Sequence, residues 1–246
     1  TITVKPANGY ELDILTVTDA SGKAVATTDL GNGRYSFTMP GSKVTVEANF
    51  KPVEEEPAPV DLPFTDVAES AWYYDAVAYA YANGLMDGTG ASSFAPGMTT
   101  NRAMLATLLY RLEKEPAVSG AVSFQDVAAG QWYTDAVAWA ASEGIVNGVG
   151  DGSAFAPNDT ITREQMAVML YRYAQYKGYD VSQGGMAMQE YSDYGQVSSW
   201  AQQAMQWAVS AGLITGTSDT TLSPQGSASR AEIATILMRF CENVVK

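Results

Sequence analysis

Phe64-Thr-Asp66-Val67, Phe124-Gln-Asp126-Val127 and Tyr191-Ser-Asp193-Tyr194 open three passages that continue in one order: a Trp, a glycine-bounded loop, a proline and an arginine. Phe64 to Phe124 is 60 residues and Arg102 to Arg163 is 61, so both halves of the unit recur in register, with one residue more between Gly148 and Phe155 than between Gly88 and Phe94. Arg163 to Arg230 is 67, the extra length falling around Ser182-Gln-Gly-Gly185. A period above about 50 residues exceeds most solenoid units, which predicts small helical modules stacked on their neighbours.

Each unit reads as helix, loop, helix. Trp72 to Asn83 places Val77, Ala80, Tyr81 and Gly84 on one face, and Trp132 to Glu143 and Trp200 to Ala211 repeat the pattern. Gly84, Gly144 and Gly212 suit the left-handed residue that closes a helix, and Gly88, Gly148 and Gly216 follow in a tight loop. A hydrophobic plug ending in proline comes next: Phe94-Ala-Pro96, Phe155-Ala-Pro157 or Leu222-Ser-Pro224. The second helix then buries Leu105, Leu108 and Leu109, or Met166, Met169 and Leu170, or Ile233, Ile236 and Leu237.

The 246 residues, 46% of them hydrophobic, are enough for one to three domains with real cores. Residues 1–50 differ from the rest. Thr1-Ile-Thr-Val4, Asp13-Ile-Leu-Thr-Val17, Arg34-Tyr-Ser-Phe-Thr38 and Lys43-Val-Thr-Val-Glu-Ala48 alternate between glycine-bearing turns, which predicts a small all-β module. Because the first residues already read as strand, and no charged, apolar leader precedes them, the chain is expected to be a piece of a longer protein. Lys51-Pro-Val-Glu-Glu-Glu-Pro-Ala-Pro59 reads as an extended acidic tether. The expected division is a β module over 1–50, a linker over 51–62, and repeats over 63–119, 120–186 and 187–246.

Charge and residue usage exclude several functions. A net charge of −13 argues against nucleic acid, whose phosphates require clustered Lys and Arg. No run of 18 apolar residues exists to insert in a membrane. Without any His, Ser-His-Asp and Cys-His catalysis and His-ligated zinc are ruled out. Cys241 has no partner for an internal disulfide and reads as a small apolar residue of the last helix.

The start of the second helix concentrates the chemistry. Asn101, Thr162 and Ser229 are N-cap residues, and Thr162 with Gln165 and Ser229 with Glu232 fit the capping box, each cap being worth about 1 kcal/mol. Arg102, Arg163 and Arg230 therefore fall at the first helical position, beside amides expected to be unpaired and the positive end of the dipole. That corner suits a carboxylate or phosphate, with a salt bridge to Asp66, Asp126 or Asp193 as the rival reading. Nine residues on, Arg111, Arg172 and Arg239 read as structural cations near helix C-termini.

The Phe-x-Asp-Val opening, the Trp, the Gly-x-x-x-Gly loop, the Phe-x-Pro plug and the Thr-Arg-Ala-Glu stretch together resemble the surface-layer homology (SLH) domain in three copies, over residues 64–243. The β module, through Gly9-Tyr-Glu-Leu12, Tyr35-Ser-Phe-Thr-Met-Pro40 and Val44-Thr-Val46, is similar to short β repeats used as stalk segments by Gram-positive surface proteins. The resemblance implies a mainly α fold, its three helix-loop-helix repeats packed about a pseudo-threefold axis. It also implies secretion to the cell surface and non-covalent anchoring to the wall, by binding a secondary cell wall polysaccharide whose sugar often carries a pyruvate ketal. Its binding Arg corresponds to Arg102, Arg163 and Arg230, its acidic residue to Asp66, Asp126 and Asp193, its aromatic to Trp72, Trp132 and Trp200, and its loop glycine to Gly88, Gly148 and Gly216.

The copies depart from that pattern unequally. Repeat one has Asn101 and Met104 where Thr and Glu are usual, which removes the reciprocal half of the capping box. Ala201 follows Trp200 where Tyr73 and Tyr133 follow the other tryptophans, which weakens that groove if those tyrosines face the ligand. For the tryptophans, core packing and stacking on a sugar are both open. Other readings are a structural module self-assembling into a surface lattice without glycan, and a glycosidase using Asp66 with Glu69 or Asp126 with Asp135. The second is disfavoured because an active site is single and these carboxylates recur. Asn147-Gly-Val-Gly-Asp151 with Asp159 could offer oxygens to calcium, but EF-hand spacing is absent and the other copies lack the set, so no metal or cofactor is expected.

Overall fold

Three glycines end three helices in the same way. At Gly84, Gly144 and Gly212 the backbone turns left-handed, with φ of 66°, 70° and 69°. The following amides of Leu85, Ile145 and Leu213 each donate 2.8 Å bonds back to Ala80, Ala140 and Ala208, which closes three identical Schellman turns. The structure, a computed structural model, describes residues 1–52, 60–118, 120 and 124–245, so most of the expected Pro-rich tether lies outside the described residues. The chain divides into two units, Thr1–Pro59 and Val60–Lys246.

The first unit is β, as its alternation predicts. Strands β1 (Ile2–Thr3), β4 (Arg34–Phe37) and β3 (Thr27–Asp29) form one antiparallel sheet in that order, and β2 (Tyr10–Asp19) pairs with β5 (Val44–Pro52) in a long ribbon with a register shift between Leu12 and Ile14. β3 was not expected, because Thr27-Thr28-Asp29 is short, polar and exposed.

In the second unit the helices are α1 (Tyr74–Ala82), α2 (Arg102–Leu112), α3 (Thr134–Ser142), α4 (Arg163–Lys177), α5 (Gln202–Ser210) and α6 (Arg230–Asn243), two per repeat. The first helix of each repeat begins two residues later than its periodicity suggests. A tight turn, Tyr74 N–H to Ala71 O at 2.9 Å in repeat one, occupies the residues before it, and the Trp rides on that turn. The extra length of repeat three includes a 3-10 helix over Met186–Glu190 that packs on α5 and buries Met188.

Helices pair across repeat borders: α2 with α3, α4 with α5, and α6 back with α1. The core runs through all three repeats, with Val77, Leu109, Val137, Leu170, Leu213 and Leu237 fully buried. Phe94, Phe155 and Leu222 plug equivalent positions at zero exposure, each contributing about 2 kcal/mol by removal from water. Antiparallel bridges Thr99 to Ser229, Asn101 to Thr160 and Thr162 to Ser227 tie every repeat to both others.

Candidate functional site

The N-caps form as the sequence requires. Asn101 Oδ1 accepts from Met104 N–H at 2.9 Å, while Thr162 with Gln165 and Ser229 with Glu232 complete capping boxes that repeat one lacks. Arg102, Arg163 and Arg230 are the first residues of α2, α4 and α6.

The amides beside them are not free to hold an anion, which corrects the expectation drawn from the helix ends. Arg102 and Ala103 N–H donate to Asp159 O and Pro157 O, both at 3.1 Å. Arg163 and Glu164 N–H donate to Gly226 O and Pro224 O, and Arg230 and Ala231 N–H to Met98 O and Pro96 O. Each helix start is thus capped by the proline loop of the next repeat, repeat three returning to repeat one. A buried amide must find a partner, and here the neighbouring repeat supplies it.

The guanidinium groups complete that junction. Arg102 Nε donates to Phe155 O at 2.7 Å and Nη2 to Asn147 O at 3.2 Å. Arg163 bonds Leu222 O and Thr215 O in the same way, and Arg230 bonds Phe94 O at 2.8 Å and Asp87 O at 2.6 Å. Relative exposures are 6, 3 and 8%. The cation lies over the plug ring in two repeats, 4.7 Å from the Phe155 centroid and 4.4 Å from that of Phe94. Where Leu222 replaces the ring, Arg163 instead pairs with Glu232 at 3.3 Å. Burial lowers the pKa of all three arginines from its ordinary value, against the pull of nearby acids.

No salt bridge joins these arginines to Asp66, Asp126 or Asp193 among the described residues. Asp66 accepts from Phe94 N–H and Ala95 N–H at 2.8 Å, Asp126 from Phe155 and Ala156, and Asp193 from Leu222 and Ser223. The middle plug residue has φ of 56°, 56° and 52° at Ala95, Ala156 and Ser223, a left-handed conformation that an L residue adopts at about 1 kcal/mol cost. The carboxylate holds that strained turn. Local desolvation pushes these carboxyls up, but the hydrogen bonds from the plug amides, joined by the Ser93 hydroxyl at Asp66, more than offset it and leave them below the ordinary aspartate value. A depressed carboxyl stabilises the fold fully above its unfolded pKa of about 3.9 and ceases to as pH falls through the folded value. The thermal midpoint is therefore expected to hold from pH 7 to about 5 and to fall between about pH 4 and 2. Asp126→Asn should melt lower at pH 7 and lose less on acidification, whereas identical acid profiles would show that Asp126 does not hold the turn.

Three surface grooves collect the remaining residues, and each draws on all three repeats. Arg102 from repeat one meets Asn147, Gly148, Gln165, Met169 and Arg172 from repeat two and Trp200 from repeat three, around a cavity of about 480 Å³. Arg163 meets Thr215, Gly216, Glu232 and Arg239 with Trp72 around about 390 Å³. Arg230 meets Asp87, Gly88, Met104 and Arg111 with Trp132 around about 180 Å³. Arginines, tryptophans and glycines named from the sequence are brought together; the three aspartates are not in these linings.

Trp72, Trp132 and Trp200 are 67, 59 and 58% exposed, which rules out plain core packing for them. Tyr73 and Tyr133 do not line the grooves. Their rings stand edge-on to Trp72 and Trp132 at 5.2 and 5.1 Å and act as buttresses, and Ala201 leaves Trp200 without one. The loop glycines are required for space. A Cβ on Gly88 would come 2.6 Å from Phe64 Cε1 and Gly90 O, one on Gly148 would overlap the Gly152 carbonyl, and one on Gly216 would sit 2.6 Å from Tyr191 Cε1. Tyr191 stands where the other repeats have Phe64 and Phe124, and its hydroxyl accepts from Gly216 N–H at 3.0 Å.

Arg111, Arg172 and Arg239 are groove residues that the sequence reading assigned to helix ends. Only Arg111 lies in a last helical turn; α4 and α6 run on past their arginines to Lys177 and Asn243. Their fixed spacing of nine from the first arginine was the available signal.

The family model for the S-layer homology domain matches residues 63–104, 123–167 and 190–234. The chain belongs to this family. Residues 1–54 match the divergent InlB B-repeat domain, in agreement with the stalk-like β reading. Among curated relatives, the SLH chain is 31% identical over 185 residues to an amylopullulanase of Thermoanaerobacterium thermosulfurigenes, covering 74% of this chain and 10% of that one. It is 29% identical to exoglucanase XynX of Acetivibrio thermocellus, covering 96% and 20%, and 33% identical to the surface-layer 125 kDa protein of Lysinibacillus sphaericus, covering 71% and 14%. The chain thus spans a tenth to a fifth of the length of these relatives. SLH repeats and surface-layer relatives support a cell-surface or cell-wall location and a non-catalytic anchoring or surface-layer role. Among the described residues no helix is long and apolar enough to cross a membrane.

Proposed function

We propose that the SLH repeats pack about a pseudo-threefold axis and anchor a longer surface protein non-covalently by binding an anionic, pyruvate-ketal-bearing cell wall polysaccharide in the inter-repeat grooves. One observation carries this reading: an exposed Trp face, a glycine loop and two guanidinium groups converge three times, each time from three different repeats. An exposed indole offers a flat apolar surface to a pyranose ring, and an arginine offers paired donors to its carboxylate. Arg102, Arg163 and Arg230 contact the ligand, Trp72, Trp132 and Trp200 stack on it, and Gly88, Gly148 and Gly216 let it approach the loop. Asp66, Asp126 and Asp193 position the plug beneath the arginine. The net charge of −13 opposes the polymer as a whole, so attachment depends on these few contacts and excludes indiscriminate adhesion.

Exposed tryptophans are the residues to test, since their replacement spares the core. Pull-down on purified wall polysaccharide should fall about tenfold for each single Trp→Ala variant at 72, 132 or 200 and at least about 100-fold for the triple variant, because linked sites multiply. A folded triple variant that binds as the parent does refutes the reading, and sedimentation of the parent as large oligomers indifferent to glycan would favour lattice assembly instead.

A further inference from the structure

The three grooves share a plan but differ at two positions that face their arginines. One is the residue before the loop glycine: Asp87, Asn147 or Thr215. Its backbone carbonyl accepts from the first arginine in every groove, and its side chain lies toward the second. Asp87 forms an ion pair with Arg111 at 3.0 Å, and Thr215 Oγ1 is 3.5 Å from Arg239 Nη1. With its amide turned so that the oxygen faces the cation, Asn147 Oδ1 lies 3.3 Å from both Nη1 and Nη2 of Arg172. The other position is the third helical residue: Met104, Gln165 or Glu232.

Taking both positions together, one groove stands apart. The Trp132 groove contains Arg111 and Arg230 with Asp87, and the Trp72 groove contains Arg163 and Arg239 with Glu232. In each, two positive charges less one negative leave one. The Trp200 groove contains Arg102 and Arg172 with no acidic residue, which leaves two. The acids acting on Arg230 and Arg163 include Asp87 and Glu232, which line the same grooves, whereas those acting on Arg102, Asp159 and then Asp126, lie outside its groove lining and Arg172 within it opposes the charge. Asp126 spends its oxygens on the Phe155 and Ala156 amides. This groove is also the largest of the three, at about 480 Å³ against about 390 and 180 Å³.

We propose that the Trp200 groove is the carboxylate-selective site of this chain, and that Asn147 and Gln165 set that selectivity by being uncharged where the other grooves place an acid at one of the two positions. Two like charges lining one partly desolvated cleft with no acid in that lining favour an anion between them, so this groove gains most from a ligand carboxylate. The Trp72 groove, its arginine already paired to Glu232, favours neutral hydroxyl-bearing parts of the polymer. The inference rests on the glycan reading above.

Five tryptophans give five indole N–H signals, three of which report one groove each. The ¹⁵N-labelled full chain is titrated with a methyl hexoside bearing a pyruvate ketal and with the methyl ester of the same compound. The Trp200 signal should saturate at about tenfold lower concentration than those of Trp72 and Trp132, and esterification should erase that preference. Asn147→Asp with Gln165→Glu should bring Trp200 to the level of the others; Glu232→Gln, which leaves the Asn147 groove intact, should tighten the Trp72 response to the acid alone. If the three signals move in parallel, or the preference survives in the ester, the selectivity is refuted while glycan binding stands. If neither compound moves any of the three, both readings fail.

Discussion

Arg163→Ala is expected to lower the thermal midpoint by about 10 °C. The side chain is nearly sealed from solvent, and its removal leaves the carbonyls of Leu222 and Thr215 without donors and Glu232 without its cation. Leaving two buried carbonyls without donors and a half-buried carboxylate without its cation costs about 3 kcal/mol or more, and each kcal/mol shifts the midpoint of a 150–250-residue domain by roughly 2–4 °C. Arg163→Lys should recover less than half of the loss, because one ammonium cannot span two carbonyls and a carboxylate in the planar geometry of a guanidinium. Arg102→Ala and Arg230→Ala should cost less, since each leaves its carbonyls unpaired but strands no directly paired carboxylate. Scanning calorimetry of the four variants checks the order. A midpoint for Arg163→Ala within about 2 °C of the parent would mean that the arginine does not clamp the repeats. The same residue faces the groove, so lost binding in an arginine variant is informative only when its melt is reported beside it.

That double duty was not legible in the sequence, for a physical reason. What sequence reading found is governed by contacts three to five residues apart: the caps at Asn101, Thr162 and Ser229, the glycine closures at Gly84, Gly144 and Gly212, and the apolar stripes between them. What it missed depends on partners far along the chain. Arg230 N–H bonds to Met98 O across 132 residues, and no local pattern announces that a helix start will be capped by another repeat. Arg111, Arg172 and Arg239 were read from the helix dipole, a local term, and their reach into the grooves depends on where α2, α4 and α6 lie relative to the loops. Whether Tyr73 and Tyr133 face the ligand is open in the sequence; Tyr133 is buried and both stand edge-on to the tryptophans as supports. Asp66, Asp126 and Asp193 recur as regularly as any binding residue would. Their regularity comes from a strained turn needing the same anchor three times.

Deleting residues 187–246 should abolish cooperative folding of what remains of the repeats, a larger effect than any single substitution. In an open stack, loss of a terminal repeat removes one interface and lowers stability by an increment. Here the third repeat touches both others. Without it, α1 loses α6, α4 loses α5, Arg163 loses Leu222 O and Thr215 O, and the start of α4 loses the carbonyls of Gly226 and Pro224. Phe94 O and Asp87 O lose Arg230 as well, so the damage falls on repeat one as heavily as on repeat two. Two apolar helix faces and several buried carbonyls would then meet water, a loss exceeding the 5–15 kcal/mol by which a domain is ordinarily stable. The truncated chain should show no sigmoidal melt by circular dichroism, and adding residues 187–246 as a separate peptide should restore one. A truncated chain that melts cooperatively on its own, within a few degrees of the parent, would show that the repeats form an open stack and that their closure is incidental.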